Sequence, residues 1–360
     1  MHMADALLSS AVGGTMWAAS AGTIAYCSRA VRREMDDKKV PLMGVLGAFL
    51  FAAQMINFTI PATGSSGHLG GGLLLAILLG HHAAFLTIAS VLFVQALFFA
   101  DGGLLALGCN IFNMGFIPAF IVYPFVYKKL IGTNPTQSRL TAVTLLSAVI
   151  GLQLGPLSVV LETLFSGISS LPFSTFVLLM QPIHLAIGIV EGLVTVAIIS
   201  FVYKARPEIL SSALESRPIG NFGVRTVVIS FFAVALFTGG VVSWFASENP
   251  DGLEWAIKKV TGKEALEGAK GGVHGALASV QEKTAFLPDY NFKRPEAKKV
   301  EAPHDVAGRS EAAKPEGGEK KAEESKLGTS VAGLIGGLLT LGLALVIGLI
   351  LKKSAAKSSQ

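Results

Sequence analysis

Charged residues are scarce in this chain. Asp, Glu, Lys and Arg make up 15% of its 360 residues, whereas soluble domains carry roughly 25%. Hydrophobic residues make up 51% and the mean hydropathy is +0.59. Uncharged apolar runs of about 20 residues, the length that crosses a bilayer as a helix, recur along the chain. These features exclude an ordinary soluble domain and predict an all-α fold, a polytopic helical bundle in membrane lipid.

Other absences narrow the function. The two cysteines, Cys27 and Cys109, lie in apolar runs and give no disulfide framework. No Gly-x-x-x-x-Gly-Lys-Ser/Thr segment occurs, so the chain does not hydrolyse ATP through this phosphate-binding loop. The residues before the first apolar run include Asp5 but no Lys or Arg, which predicts a retained first span and not a cleaved signal peptide.

Lys and Arg orient the predicted spans, so the net charge of +5 need not indicate a nucleic-acid partner. The first apolar run, 7–30, leads into a basic cluster that includes Arg33. Such a cluster belongs in the cytoplasm, which places the N-terminus outside. The second run, 41–61, returns to the outside, so the Gly-rich loop 62–70 is predicted to be external.

The stretch 71–100 is too long for one helix and short for two. A break at His81 and His82 gives a short inward helix and an outward helix, and it keeps the basic residues near Lys128 in the cytoplasm. The two histidines then lie in an inner loop. We favour solvated side chains over a cytoplasmic exit site for metal.

The whole chain divides into two predicted parts. Residues 1–217 form about seven transmembrane helices. Residues 218–360 form a two-helix part whose external segment, 246–327, precedes a cytoplasmic C-terminus; its predicted spans are 226–245 and 330–351. Within the external segment, 291–326 is rich in Lys, Glu, Ala and Pro, a composition that cannot bury a core and predicts disorder.

The opening Met1-His2 suggests a metal site. The Met1 amine, the amide nitrogen of His2 and its imidazole can close two chelate rings on one ion, and His68 can supply a fourth nitrogen. Planar nitrogen sites suit Ni(II) or Cu(II). Met-His alone is better explained as an ordinary start of the chain than as a metal site. The topology predicted from Lys and Arg, however, independently places His2 and His68 on the same side of the membrane.

Other polar residues in the apolar runs leave alternatives open. His184 and Glu191 share a helical face and form either a metal release path or a structural hydrogen-bonded pair. Asp101 attracts cations or, more simply, caps a turn or helix. Asn110 and Asn113 either support the metal ligands or, as we favour, bond between helices.

Small residues recur at every fourth position of the second span, at Gly44, Ala48 and Ala52. Such a stripe lets another helix approach closely. That helix belongs either to a scaffold protein or to this chain, and the pattern does not decide between them.

Several of these segments resemble one known family. The opening Met1-His2-Met3-Ala4-Asp5-Ala6, the Gly67-His68 pair and the run 95–114 (QALFFADGGLLALGCNIFNM) are similar to the CbiM/NikM family, the substrate-binding components of energy-coupling-factor cobalt and nickel transporters. The likeness covers roughly 1–205. Residues 250–255 (PDGLEW), between two spans, resemble a fused NikN-type component.

The resemblance implies a metal site and partners. Metal would be bound by the Met1 amine, the His2 amide and imidazole, and the His68 imidazole. The partners would be a transmembrane scaffold (T) component and paired ATPase (A) subunits. The expected function is therefore capture of Ni(II), or Co(II), at the outer face of the cell membrane for ATP-driven uptake. The transported metal is the substrate, and no further cofactor is expected.

Two other classes of membrane protein, a metal sensor and a metalloenzyme, could also bind a metal ion. A membrane metal sensor would signal metal occupancy through its external segment and would need no ATPase. A membrane metalloenzyme needs an open coordination position and a nearby acid or base, for which a plane filled by four nitrogens leaves little room. We therefore expect a non-enzymatic protein.

The topology is directly testable. We expect positions 1, 68 and 255 to be external, and Arg33, Lys128 and Arg217 to be cytoplasmic, because of the Lys and Arg distribution. Single cysteines, introduced after Cys27 and Cys109 are replaced, are labelled from outside intact cells. Labelling at 128 but not at 68 would invert the topology.

Overall fold

The computed structural model describes residues 2–293 and 317–358, and within the last helix it describes side chains from 326 to 354. This part of the chain is mostly helical, as predicted. The main helices are α1 (Ser10–Ala30), α2 (Lys39–Gln54), α3 (Gly72–Leu79), α4 (His81–Phe99), α5 (Leu107–Ile111), a π-helix (Phe112–Tyr127), α6 (Lys128–Ile131), α7 (Gln137–Ser166), α8 (Phe173–Ala205), α9 (Pro207–Leu214), α10 (Arg225–Gly240), α11 (Gly252–Thr261), α12 (Gly272–Thr284) and α13 (Gly317–Ser358). Short 3₁₀ turns cover Asp5–Leu7, Val31–Arg33, Val242–Phe245 and Pro288–Tyr290.

The chain is a multi-pass membrane protein. Among the described residues, five helical stretches are long and apolar enough to cross a bilayer: His81–Phe99, Leu107–Ile131, Gln137–Ser166, Phe173–Ala205 and Lys326–Ser354. The apolar helices α2 and α10 are shorter. Four of the long stretches precede residue 217, so length and hydropathy do not establish the predicted count of about seven spans there. The predicted boundary at 217 falls between α9 and α10.

The stretch 71–100 breaks into two helices as predicted, but at Gly80 and not at the two histidines that follow it. Gly80, with φ 81° and ψ 158°, separates α3 from α4. Because α3 has eight residues, it is only about 12 Å long and cannot cross a bilayer core of about 30 Å. The expectation of two solvated loop histidines is wrong. His82 lies in the first turn of α4, where it is buried with its Nδ1 2.8 Å from Oε1 of Glu34.

One element departs from the all-α prediction. Strands β1 (Phe58–Ile60) and β2 (Ser65–Gly67) form an antiparallel hairpin in which Phe58 pairs with Gly67. Apolar composition alone did not reveal this hairpin, because β1 lies at the end of the second apolar run and β2 in the loop rich in Gly and Ser that follows it. The hairpin ends one residue before His68 and therefore positions that side chain.

The small-residue stripe on α2 packs within this chain. Gly44 faces α13, where a Cβ on this glycine would lie 2.9 Å from Leu345. Ala48 is buried and lies near Gly337 on the same helix. The last helix of the C-terminal part thus occupies the face that the sequence left open to either partner.

Helices α10 and α13 also approach each other closely. A Cβ built on Gly333 would lie 2.4 Å from the carbonyl oxygen of Gly239. Real Cβ atoms do not come this close to backbone, so this crossing requires glycine. At Gly342, on the same helix, a Cβ would meet no atom within 4 Å.

A matched pair of variants on α13 tests the close approach of α10 and α13. Gly333→Val should separate α10 from α13 and destabilise the protein by at least the 1–3 kcal/mol that is typical of overpacking. Gly342→Val makes the same chemical change in open space and should have little effect. Thermal unfolding midpoints in detergent measure both, and equal shifts would contradict the observed crossing.

Candidate metal-binding site

The hairpin that precedes His68 is anchored by the C-terminal part. The backbone N–H of Ser66 donates to the carbonyl of Pro250 at 2.8 Å, and the Ser66 hydroxyl donates to the carbonyl of Asn249 at 2.7 Å. Residue Asp251 forms a parallel bridge with Ser66. The Trp255 indole donates to the carbonyl of Thr63 at 3.0 Å. Residues 249–251 therefore lie along the edge of β2, and Trp255, on α11, contacts the turn of the hairpin.

The segment that follows His68 is held from the membrane bundle. Glu191, on α8, accepts hydrogen bonds from the N–H groups of Gly70 at 2.7 Å and Gly71 at 3.1 Å. Gln54, on α2, donates to the carbonyl of Gly70 at 2.9 Å. The main chain on both sides of His68 is thus fixed by buried contacts.

The N-terminus is clamped into the same region. Asn110 accepts a hydrogen bond from the N–H of Met3 at 2.8 Å and donates to its carbonyl at 3.3 Å. Gly103 donates its N–H to the same carbonyl at 2.9 Å. Asp5 accepts from the N–H of Ala106 at 2.9 Å, so it is tied to the turn that leads into α5. Met1, the first predicted ligand residue, lies outside the described residues.

These restraints bring the two predicted histidines together. The rings of His2 and His68 stack with centroids 5.0 Å apart and planes 16° apart. Nδ1 of His68 lies 3.1 Å from the carbonyl oxygen of Leu69, a position in which it donates a hydrogen bond and leaves Nε2 with a lone pair. Nδ1 of His2 lies 3.1 Å from a carboxylate oxygen of Asp101.

Burial keeps both imidazoles neutral. It lowers the pKa of His2 to about 3 and that of His68 to about 3, from an ordinary value of 6.5. Metal binding requires neutral imidazole nitrogen. Near neutral pH, neither imidazole therefore carries the second ring proton that would prevent binding.

Two carboxylates accompany the histidines. Asp101 accepts a hydrogen bond from the hydroxyl of Tyr290, and burial raises the pKa of Asp101. Asp251 lies on the other side, with Oδ2 3.9 Å from Nε2 of His68. Burial acts to raise the pKa of Asp251, but neighbouring positive charge and hydrogen bonds outweigh it and hold that pKa below its usual range.

Several expectations about polar residues need correction. Asp101 does not cap a helix but contacts His2. His184 and Glu191 do not pair, because Nδ1 of His184 lies 2.7 Å from the carbonyl of Met180 whereas Glu191 binds the loop after His68. Asn110, favoured as an interhelical contact, instead holds the residue after His2.

Two site residues were not found by sequence reasoning. Both lie in the C-terminal part: Asp251 is far along the chain from His68, which it approaches, and Tyr290 is 189 positions after Asp101, to which it donates. The only available signal was the segment 250–255 as a resemblance motif, which gave no reason to put its carboxylate at His68. Within residues 2–293 and 317–358, no group of three or more His, Cys, Asp or Glu is arranged to hold a metal ion. A metal site here therefore depends on donors beyond those side chains.

The geometry defines a class: a multi-pass helical membrane protein whose N-terminus folds into a buried pocket lined with histidine. Residues 2–209 match the CbiM family, described as the cobalt uptake substrate-specific transmembrane region, and 225–353 match the PDGLE domain. Because the first match spans more than half of the sequence, this chain belongs to the CbiM family. The resemblance noted in the sequence is confirmed.

Individual relatives and structures are consistent with this membership. The chain is 27% identical to the fused nickel transport protein NikMN of Rhodobacter capsulatus over 319 residues, 81% of this chain and 88% of that one. A protein of Archaeoglobus fulgidus that carries the same NikMN name is 33% identical over 302 residues, again 81% and 88% of the two chains. A truncated transition metal transporter, solved as a crystal structure, is 29% identical with a TM-score of 0.50 and covers 57% of this chain and 99% of its own.

The buried neutral histidines predict how stability depends on pH. In the unfolded chain each imidazole binds a proton below about pH 6.5, whereas in the folded protein it stays neutral down to about 3. Between these values the unfolded state binds more protons, so the free energy of unfolding falls as pH falls. From pH 6.5 to 5 we expect a loss of about 1.6 kcal/mol per histidine, since the unfolded imidazole is half protonated at pH 6.5 and the full slope is about 1.36 kcal/mol per pH unit.

Denaturant unfolding of the metal-free protein in detergent at these two pH values measures the loss. A double variant, His2→Gln with His68→Gln, is the control and should show a clearly smaller decrease. Equal decreases in the two proteins would mean that these histidines titrate alike in the folded and unfolded states.

Proposed function

We propose that this protein captures Ni(II), or Co(II), at the outer face of the cell membrane and delivers it to an ATP-driven transporter of the energy-coupling-factor type. One observation carries the proposal: His2 and His68, chosen from the sequence as ligands, stack in one buried pocket although 65 residues separate them. The fold brings together the two ends of the predicted nitrogen set. Membership of the CbiM family and the nickel and cobalt names of the relatives support the same substrate.

The ligands we propose are the Met1 amine, the amide and imidazole nitrogens of His2, and the imidazole of His68. Backbone and terminal nitrogens supply half of this set, so no cluster of three ligand side chains is needed. Such a nitrogen plane suits Ni(II), whereas Cu(II) would bind it more tightly in principle. Selectivity therefore also reflects which metal is available.

Binding requires one side-chain movement. A six-membered chelate ring with the amide nitrogen of His2 closes only through Nδ1, which in this structure lies 3.1 Å from Asp101. The ring of His2 must turn so that Nδ1 leaves the carboxylate, and the Nδ1 proton must pass to solvent or to Nε2 before Nδ1 binds the metal. Asn110 keeps the following residue in place during this rotation. The movement is thus confined to one imidazole.

The charge-based topology gives transport its direction. With the N-terminus and the loop at His68 outside and the C-terminus inside, the pocket receives metal from outside the cell. The absence of the Gly-x-x-x-x-Gly-Lys-Ser/Thr loop supports a need for ATPase (A) subunits, joined through a transmembrane scaffold (T) component. Under this proposal the protein is a non-enzymatic membrane carrier and binds no nucleic acid.

The test is to move the N-terminal amine. Adding four Gly residues after the initiator Met, ahead of the native Met1, turns the original amine into an amide and places the new amine too far from His2 to close the chelate. An ordinary site of two histidines would survive this change, but the proposed set would lose nitrogens that depend on the native start. We expect nickel affinity to fall at least a hundredfold, about 2.8 kcal/mol at about 1.4 kcal/mol per tenfold change.

Nickel titration of the purified chain compares five proteins: native, extended, His2→Ala, His68→Ala and His81→Ala. The first two alanine variants should both lose affinity, and His2→Ala more so because it removes a chelate ring. His81, at the start of α4, is the control and should leave affinity unchanged. Unchanged affinity in the extended protein would refute the chelate.

A further inference from the structure

Two further histidines lie at the end of α4 that is remote from the proposed metal pocket. Asp101, which contacts His2, follows the last residue of α4 by two positions, whereas His81 and His82 are the first two residues of this helix. With 19 residues, α4 is about 28 Å long, close to the bilayer core of about 30 Å. Since α4 is long and apolar enough to cross a bilayer, the pocket and the pair of histidines lie near opposite faces of the membrane.

One nitrogen of His82 has a carboxylate partner and the other has none. Nδ1 lies 2.8 Å from Oε1 of Glu34, whose second oxygen is 3.4 Å from Nζ of Lys39. A carboxylate paired with an ammonium group is ionised and only accepts hydrogen bonds, so Nδ1 carries the proton. In the neutral imidazole Nε2 then holds the lone pair. This nitrogen is buried and has no hydrogen-bond partner among the described residues.

This arrangement is typical of a histidine that binds metal. Such a side chain almost always donates its other ring N–H to a carboxylate, a carbonyl or water, which orients the ring and makes the binding nitrogen more basic. The ring of His81 lies beside that of His82, with centroids 3.9 Å apart and planes at 42°. Two imidazole nitrogens on one ion are at most about 4.2 Å apart, because each bond is about 2.1 Å long. Rotation of the His81 side chain therefore suffices for both rings to bind one ion.

The surroundings of the two rings limit how tightly they hold a cation. Lys39 and Lys128 lie close enough for their charges to act on His81. The described residues contain no group of three or more His, Cys, Asp or Glu arranged to hold an ion, so water has to fill the remaining coordination positions. His81 is only partly buried, which lets water reach the ion. Two imidazoles with ammonium groups nearby favour weak, exchangeable binding, as release of an ion requires.

We propose that His81 and His82 form a second site for a divalent transition metal, weaker than the nitrogen plane, from which the ion leaves on the inner side of the membrane. Imidazole nitrogen suits Ni(II) as a ligand. Glu34 does not bind the ion in this site but positions His82. The site itself rests on the geometry of these side chains, whereas the identity of the metal and its direction rest on the proposed function.

The experiment is a titration of the purified full chain in detergent with nickel chloride. The native chain should bind in two steps, a tight one and one about tenfold weaker or more, which corresponds to about 1.4 kcal/mol or more. A double variant, His81→Ala with His82→Gln, should lose the weaker step and keep the tight one. The chain with the extended N-terminus should do the reverse. A single step in the native chain, or a weaker step that survives in the double variant, would overturn the second site and leave His82 as the partner of Glu34 in an ion pair.

Glu34→Gln tests whether this carboxylate supports a metal ligand. The weaker step should lose affinity by about tenfold to a hundredfold, as is typical when the carboxylate behind a metal-bound histidine is removed. Glu215→Gln is the matched control. It removes one negative charge from an exposed side chain that pairs with Arg217, at the same end of the molecule, and should leave both steps unchanged. Equal losses in the two variants would mean that general charge, and not the orientation of His82, determines the affinity.

Thermal midpoints identify any variant that fails to fold. If the double variant or Glu34→Gln is one of them, His81→Ala alone is the test, because it leaves the hydrogen bond between His82 and Glu34 intact. This single variant should lose the weaker step and keep the tight one, in agreement with its use as the control for the nitrogen plane. A weaker step of native affinity in His81→Ala would overturn the site.

Release is measured as uptake of radioactive nickel by cells in which a variant replaces the native chain. His81→Ala should cause a loss of uptake although its tight step is intact, and unchanged uptake would exclude the weaker site from the path of the ion. Failure of the proposed function is distinguishable from failure of this site. If the tight step survives the N-terminal extension, the proposed function fails, whereas the fate of the second site is decided by the weaker step.

Discussion

The site depends on one buried carboxylate, Glu191, which holds two consecutive backbone N–H groups, those of Gly70 and Gly71. These groups precede α3 inside the helical bundle, where an unpaired donor is costly. A carboxylate at a helix N-terminus also complements the helix dipole. Gly71 has φ 73°, so the chain reverses here in a conformation that favours glycine. Glu191 therefore supports both the start of α3 and the position of His68.

The two histidines are held by different helices of the bundle. Glu191 on α8 holds His68 through the loop after it, whereas Asn110 on α5 holds His2 through the residue after it. The C-terminal part then covers both, with Asp251 beside one ring and Tyr290 hydrogen-bonded to the carboxylate beside the other. A pocket assembled in this way is preorganised, because the ordering of the chain is complete before the ligand arrives.

Much of this arrangement could be predicted from sequence because the bilayer imposes simple rules. The length of 71–100 predicted the break before His81, and ligand chemistry selected His2 and His68. The environment of His82 was missed, since its burial depends on Glu34, which is 48 positions away. The stripe at Gly44 predicted close helix packing but not the partner helix. Small residues allow a helix to approach closely, but they do not determine which helix it is. Asp251 escaped prediction because only tertiary pairing with Ser66 brings it to the pocket.

Fusion of the two parts has a consequence for assembly in the lipid. Helices α10 and α13 pack on α2 within one polypeptide, so their association is intramolecular. Its equilibrium is set by the effective concentration that the connection between α9 and α10 provides, and dilution in the bilayer does not alter it. Two separate chains would bear the entropy cost of association. Unequal expression would then leave some copies of the metal-binding part without the C-terminal part. The fused chain fixes the ratio at one to one.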